Sequence, residues 1–124
     1  MMRRPKTNRV PRTRAGNTWT EAQFWSFLRS HLRLMSRRWP PRRAALLASR
    51  RPYTGPNKRL KWEHKCSGCG RWYKAADVQV DHIEPAGKLT SWEDVEPFIR
   101  RLLCEANGLQ VLCKNKCHKA KTDK

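Results

Sequence analysis

Seven side chains able to ligate a metal or carry a proton fall into three short stretches: Cys66-Ser67-Gly68-Cys69, Asp81-His82 and Cys113 through His118. Cys66 and Cys69 form Cys-x2-Cys, and Cys113 and Cys117 form Cys-x3-Cys, with 43 residues between the two pairs. Two close pairs on separate turns are what a tetrahedral Zn²⁺ bound by four thiolates needs, since each turn supplies two sulfurs. Ser67, Gly68 and Gly70 suit such a turn, because glycine lets the backbone fold so that both sulfurs point inward. The second pair has one residue more than the commonest spacing. The alternative is four unligated buried thiols, which leaves a small, highly charged core without the folding energy that a structural metal contributes. Five cysteines, an odd number, argue against a disulfide framework. Cys104 stands outside both pairs and reads as a packed thiol.

Asp81 and His82 close the alternating stretch Val78-Gln79-Val80 and are followed by Ile83, Glu84 and Pro85. A carboxylate and an imidazole at a strand end are, by themselves, an ordinary surface feature. His118 directly follows Cys117, however, so a zinc shared by the two cysteine pairs draws His118 and the strand end together. A carboxylate and one imidazole then hold a divalent cation with open positions, while the second imidazole takes a proton from water. His31 reads as a packing or surface residue, His64 as standing behind the zinc turn or exposed, and Glu84 as a solvated loop acid. The six tryptophans read mainly as core anchors.

Positioning these groups requires short strands around Trp62, Trp72-Tyr73, Val78 to Val80 and Leu109 to Cys113, where β-branched and aromatic residues alternate. "KNKCHKAKTDK" predicts a short basic terminal helix. "TSWEDVEPFIRRLLCEANG" predicts a helix with Thr90 and Glu93 as a capping box and Asn107-Gly108 at its end. Pro97 inside it either kinks the helix or marks a later start. Upstream, Thr20 and Gln23 form a capping box for an amphipathic helix that Pro40-Pro41 ends, and "RRAALLASRR" predicts a second, shorter helix.

Charge separates the halves. The chain has 28 Lys+Arg against 10 Asp+Glu, a net charge of +18. Residues 1 to 60 hold 16 of the cations and a single acid, Glu21, for +15, which leaves 12 against 9, or +3, for residues 61 to 124. Excluding nearly every acid from 60 residues goes beyond solubility and points to a polyanionic partner, nucleic acid before membrane. No apolar run approaches a membrane-spanning length, and the start "MMRRPKTNRVPRTRAGN" has no secretory core. The expected organisation is a disordered basic arm over 1–17, a basic helical region over 18–59 and a zinc-bound α+β domain over 60–124, in a reducing, cytoplasmic setting.

"CSGCGRWYKAADVQVDHIEPAG" followed by "NGLQVLCKNKCHKAKT" resembles the HNH endonucleases, which use the ββα-metal fold. The resemblance is strongest over residues 62 to 122 and joins Asp-His, Leu-Gln-x-Leu-Cys and Cys-His-x-x-Lys-Thr in the family's order. "WTEAQFWSFLRSHLRLMSRRWPP" also looks like small free-standing phage-type members, which implies a phage or bacterial intracellular context. The resemblance implies that His82 is the general base activating water, and that Asp81 and His118 bind a catalytic Mg²⁺, Mn²⁺ or similar ion. Double-stranded DNA, gripped by the arm and helices, would then be cut to 5′-phosphate and 3′-hydroxyl ends. Cys66, Cys69, Cys113 and Cys117 would hold one separate structural zinc per chain. Two departures stand out. The family commonly has an Asn that orients the base just before Leu-Gln, where this chain has Gly108 with Asn107 one residue earlier. The orienting role passes to Asn107, to a backbone carbonyl, or is lost. The last turn also carries an extra residue in Lys114-Asn115-Lys116. Two rival readings are a non-catalytic zinc-stapled DNA-binding module with a degenerate site, and an RNA-binding zinc protein. The second leaves the Asp-His strand end unexplained.

Overall fold

The structure, a computed structural model, describes residues 10 to 122. Within them lie four helices and three small antiparallel sheets, an α+β arrangement. Strand β1 (Arg12–Arg14) pairs with β2 (Trp19–Thr20) across a turn in which Ala15, Gly16 and Asn17 all have positive φ. Composition alone predicts disorder as far as residue 17. Arg14 overrides it: its guanidinium binds Glu21 at 2.6 Å and lies 4.4 Å over the Phe24 ring, which fastens the hairpin to the core. The part of the expected arm formed by residues 1–9 lies outside the described residues.

Helix α1 (Glu21–Ser36) starts on the expected capping box. Thr20 Oγ accepts from the Gln23 N–H, and Gln23 Oε1 accepts from the Thr20 N–H. Helix α2 (Pro40–Ala48) begins on Pro40-Pro41, where the missing N–H groups cost nothing because the first turn leaves them without helical acceptors. Strand β3 (Arg50–Pro52) pairs with β4 (Trp62–Lys65), which pairs with β5 (Trp72–Tyr73). Strands β6 (Val78–His82) and β7 (Leu109–Cys113) form the third sheet, with Asp81 opposite Gln110 and His82 opposite Leu109. A π-helical turn, Lys114–His118, leads from β7 into α4 (Lys119–Thr122).

Between β6 and β7 runs α3 (Val95–Leu102), shorter than its sequence pattern implies. Thr90 donates from its N–H and its hydroxyl to Asp94 Oδ2, so the capping carboxylate is Asp94 rather than Glu93. A 3₁₀ turn over Trp92–Asp94 precedes the helix and places Pro97 in its first turn, where no helical hydrogen bond is lost. The helix stops at Leu102, and Ala106–Gly108 is a separate 3₁₀ turn.

Trp25 from α1 is buried with Ala86, Leu89, Phe98 and Leu102, and α2 packs on β6 and β7. Helix α1 therefore shares a core with α3 and the loop after β6, α2 lies against the sheet that carries Asp81-His82, and β3 pairs across the boundary expected near residue 59. Among the described residues no helix is long and apolar enough to cross a membrane.

Candidate functional site

The first group of functional side chains is the cysteine quartet. The turn after β4 brings Cys66 and Cys69 against Cys113 and Cys117, with all four Sγ atoms within 4.8 Å of one another. Sulfurs about 2.3 Å from a central zinc lie about 3.8 Å apart, so a small contraction completes a tetrahedral site. Gly68 makes the approach possible, since a Cβ there would lie 2.7 Å from Cys117 Sγ. The extra residue of Cys-x3-Cys is absorbed in the π-helical turn, whose Cys117 N–H donates back to Cys113 Sγ at 3.3 Å. Further N–H donors reach Cys66 Sγ from Gly68 and Cys113, both at 3.3 Å. The Tyr73 hydroxyl, 3.3 Å from Cys69 Sγ, donates to it and, with the Arg71 N–H, lowers that thiol to about 6. Burial, together with its sulfur neighbours, pushes Cys117 up to about 12. The four cysteines together can hold a metal ion such as zinc.

The second group lies at the end of β6. Asp81 Oδ1 faces His118 Nε2 at 4.0 Å, and Asp81 Oδ2 accepts from Gln110 Nε2 at 3.3 Å and pairs with Lys121 Nζ at 2.5 Å. Lys121 also donates to the His82 carbonyl. The His82 ring points the other way: its Nε2 sits 2.8 Å from the Leu102 carbonyl at the end of α3. A carbonyl only accepts, so Nε2 carries the hydrogen, and in the neutral ring the lone pair is on Nδ1. Arg42 of α2 donates from Nη2 to the Val80 carbonyl at 3.2 Å. Burial lowers the pKa of its guanidinium, and nearby Asp81 partly offsets the effect.

Asp81 and His118 thus face each other while the His82 ring is turned to the Leu102 carbonyl, and the group that holds its Nε2 is not Asn107. Asn107 lies exposed on the 3₁₀ turn, beside a surface cleft of about 380 Å³ lined by Ala45, Ser49 and Val111. Gly108 occupies its position for a steric reason, because a Cβ there would meet Cys104 Sγ at 2.9 Å. His64 is buried, with Nδ1 near the Ser49 hydroxyl and the Leu46 carbonyl, and His31 Nδ1 binds the Phe27 carbonyl within α1. Glu84 pairs with Arg101 at 3.3 Å on the surface.

Sequence reasoning assigned no role to Gln110, Lys121, Arg42 or the Leu102 carbonyl. Gln110 carries a usable signal, being the lone polar residue in the strand Leu109–Cys113. Lys121 carries another, since three residues after His118 it lies on the same helical face. No protein-family model, curated protein or solved structure matches the chain. Any reading of the site therefore rests on its own chemistry and geometry.

Proposed function

We propose that the chain is a metal-dependent DNA endonuclease of the HNH kind, with β6, β7 and α4 as its ββα-metal unit. The observation that carries this reading is the 4.0 Å approach of His118 Nε2 to Asp81 Oδ1, with Asp81 next in sequence to His82, whose ring is fixed through one nitrogen. A hard octahedral cation with ligands at about 2.1 Å sets neighbouring donors about 3.0 Å apart and opposite donors about 4.2 Å apart. Asp81 and His118, 4.0 Å apart, would hold Mg²⁺ or Mn²⁺ as neighbouring ligands after a closure of about 1 Å. When bound, such an ion stabilises the charge on the pentacovalent phosphate and on the departing 3′ oxygen.

His82 performs the proton chemistry. Its Nδ1 accepts a proton from a water whose oxygen attacks phosphorus, and the Leu102 carbonyl on Nε2–H fixes the tautomer and stabilises the resulting imidazolium. A backbone carbonyl does here what the resemblance expects of a side-chain amide, so the loss of an Asn at 108 leaves the base oriented. Gln110 fixes the Asp81 carboxylate. The bond from phosphorus to the 3′ oxygen breaks, the 3′ oxygen takes a proton from solvent, and His82 gives its proton back to solvent, leaving 5′-phosphate and 3′-hydroxyl ends. The cysteine quartet takes a structural zinc that holds the π-helical turn, and with it His118, against β6. Arginines and lysines of the N-terminal half supply the phosphate contacts on double-stranded DNA, which bind without reading bases.

A supercoiled-plasmid assay with Mg²⁺, Mn²⁺ or EDTA tests this reading. Wild type should convert plasmid to nicked or linear form with a divalent ion and not with EDTA. His82→Ala should lose that activity by about a hundredfold or more while still retarding DNA in a gel. Plasmid left intact with every ion, yet retarded, would favour the zinc-stapled binding module instead. The observation on that module's side is the Lys121 ammonium already paired with Asp81.

A further inference from the structure

We propose that Lys121 is the resident counter-cation of Asp81, and that a divalent ion enters the site only by displacing it. The proposal rests on the endonuclease reading, in which Asp81 and His118 are the ligands. Asp81 Oδ2 is occupied twice, by Lys121 Nζ at 2.5 Å and Gln110 Nε2 at 3.3 Å, while Oδ1 is turned to His118. The pair is shielded from water, with side-chain exposures of 18% for Asp81 and 30% for Lys121, so its mutual attraction is screened less than at an open surface. The same ammonium donates to the His82 carbonyl, so it bridges the two residues that end β6.

An ammonium within bonding distance of one carboxylate oxygen repels a dication arriving at the other. Arg42 is also beside Asp81 but is tied to the Val80 carbonyl from α2 and cannot withdraw as readily. Lys121 can, because its charge sits on a flexible four-carbon stem. Lys121 is therefore the group that yields. This makes it a positioning residue rather than a catalytic one: it neutralises and aims the carboxylate before the ion arrives, and it lowers the site's affinity for that ion.

Direct Mn²⁺ binding tests the proposal without reference to cleavage. The zinc-loaded full chain is titrated with Mn²⁺, and free ion is counted by its paramagnetic resonance signal. Lys121→Gln and Lys121→Met should bind about threefold to tenfold more tightly than wild type, the range a partly shielded ion pair sets. Lys121→Arg should stay near wild type. Lys114→Gln removes the same charge from the same segment and should change affinity by no more than about twofold at ordinary salt. Asp81→Asn should abolish the binding. Unaltered or weaker binding in both Lys121→Gln and Lys121→Met, with unchanged zinc content and circular dichroism, overturns the proposal and leaves Lys121 as an anchor for α4. Wild-type affinity in Asp81→Asn, or no Mn²⁺ binding by any variant, overturns the metal-site reading itself and this proposal with it.

Discussion

Gly108 and Cys104 touch so closely that the family-like residue at 108 has no room: a Cβ would lie 2.9 Å from Cys104 Sγ and 3.2 Å from its Cβ. Gly108→Asn should therefore destabilise the fold by about 1–3 kcal/mol, as overpacking does, rather than restore a better-oriented base. Thermal melts of Gly108→Asn and of the double variant with Cys104→Ala check this, and partial recovery in the double variant is the expected outcome. A second prediction concerns Tyr73. Its hydroxyl donates to Cys69 Sγ, so Tyr73→Phe should release zinc to a colorimetric chelator about tenfold faster, the scale of losing a group that orients a metal ligand. An unaltered release rate would remove Tyr73 from the metal centre. The sequence makes the seven ligand-type residues visible, because thiolate, carboxylate and imidazole are chemically marked and their spacing is local. What holds His82 is not visible there, since a backbone carbonyl such as that of Leu102 has no letter of its own. The Gly108–Cys104 contact is equally hidden, being a matter of clearance.

Between β7 and α4 the π-helical turn reconciles two demands, sulfur placement for Cys117 and imidazole placement for His118. Deleting Asn115 gives the commoner Cys-x2-Cys spacing but removes one residue, which corresponds to about 100° of helical rotation. The deletion variant should keep about one zinc per chain by metal analysis, since a Cys₄ site tolerates the shorter turn. It should also lose plasmid cleavage, since His118 and Lys121 turn away from Asp81. Intact cleavage would show that the extra residue has no bearing on the site. Elements with strong local signals are legible in the sequence. Thr20 with Gln23 marks the start of α1, and the apolar run at Leu109–Cys113 marks β7. Others depend on partners far along the chain. "RRP" at 50–52 has no strand pattern and becomes β3 because β4 pairs with it. The β1–β2 hairpin is masked by arginine-rich composition, although Gly16-Asn17 is a turn signal that allows it. At Thr90 the capping residue is misread by one position, because a 3₁₀ turn precedes α3.

Considered whole, the molecule does not divide where its charge does. Trp25 packs with Phe98 and Leu102, and the Trp39 indole donates to the Cys104 carbonyl at 2.6 Å. Residues 60–124 alone would leave Phe98, Leu89 and Leu102, now almost fully buried, open to water. That fragment should therefore give no cooperative melt even with zinc, whereas the full chain should. A sharp transition in the zinc-loaded fragment would restore the domain boundary that the charge distribution draws. The shared core also fixes an order of events in the making of the chain. Synthesis delivers the polycationic half first, and Trp25 and Trp39 have nothing to close upon until Phe98 and Cys104 have been added. Each nascent copy thus carries its cations before they have a core to fold on, and on the endonuclease reading proposed above it would bring Asp81 and His118 together only once His118 follows.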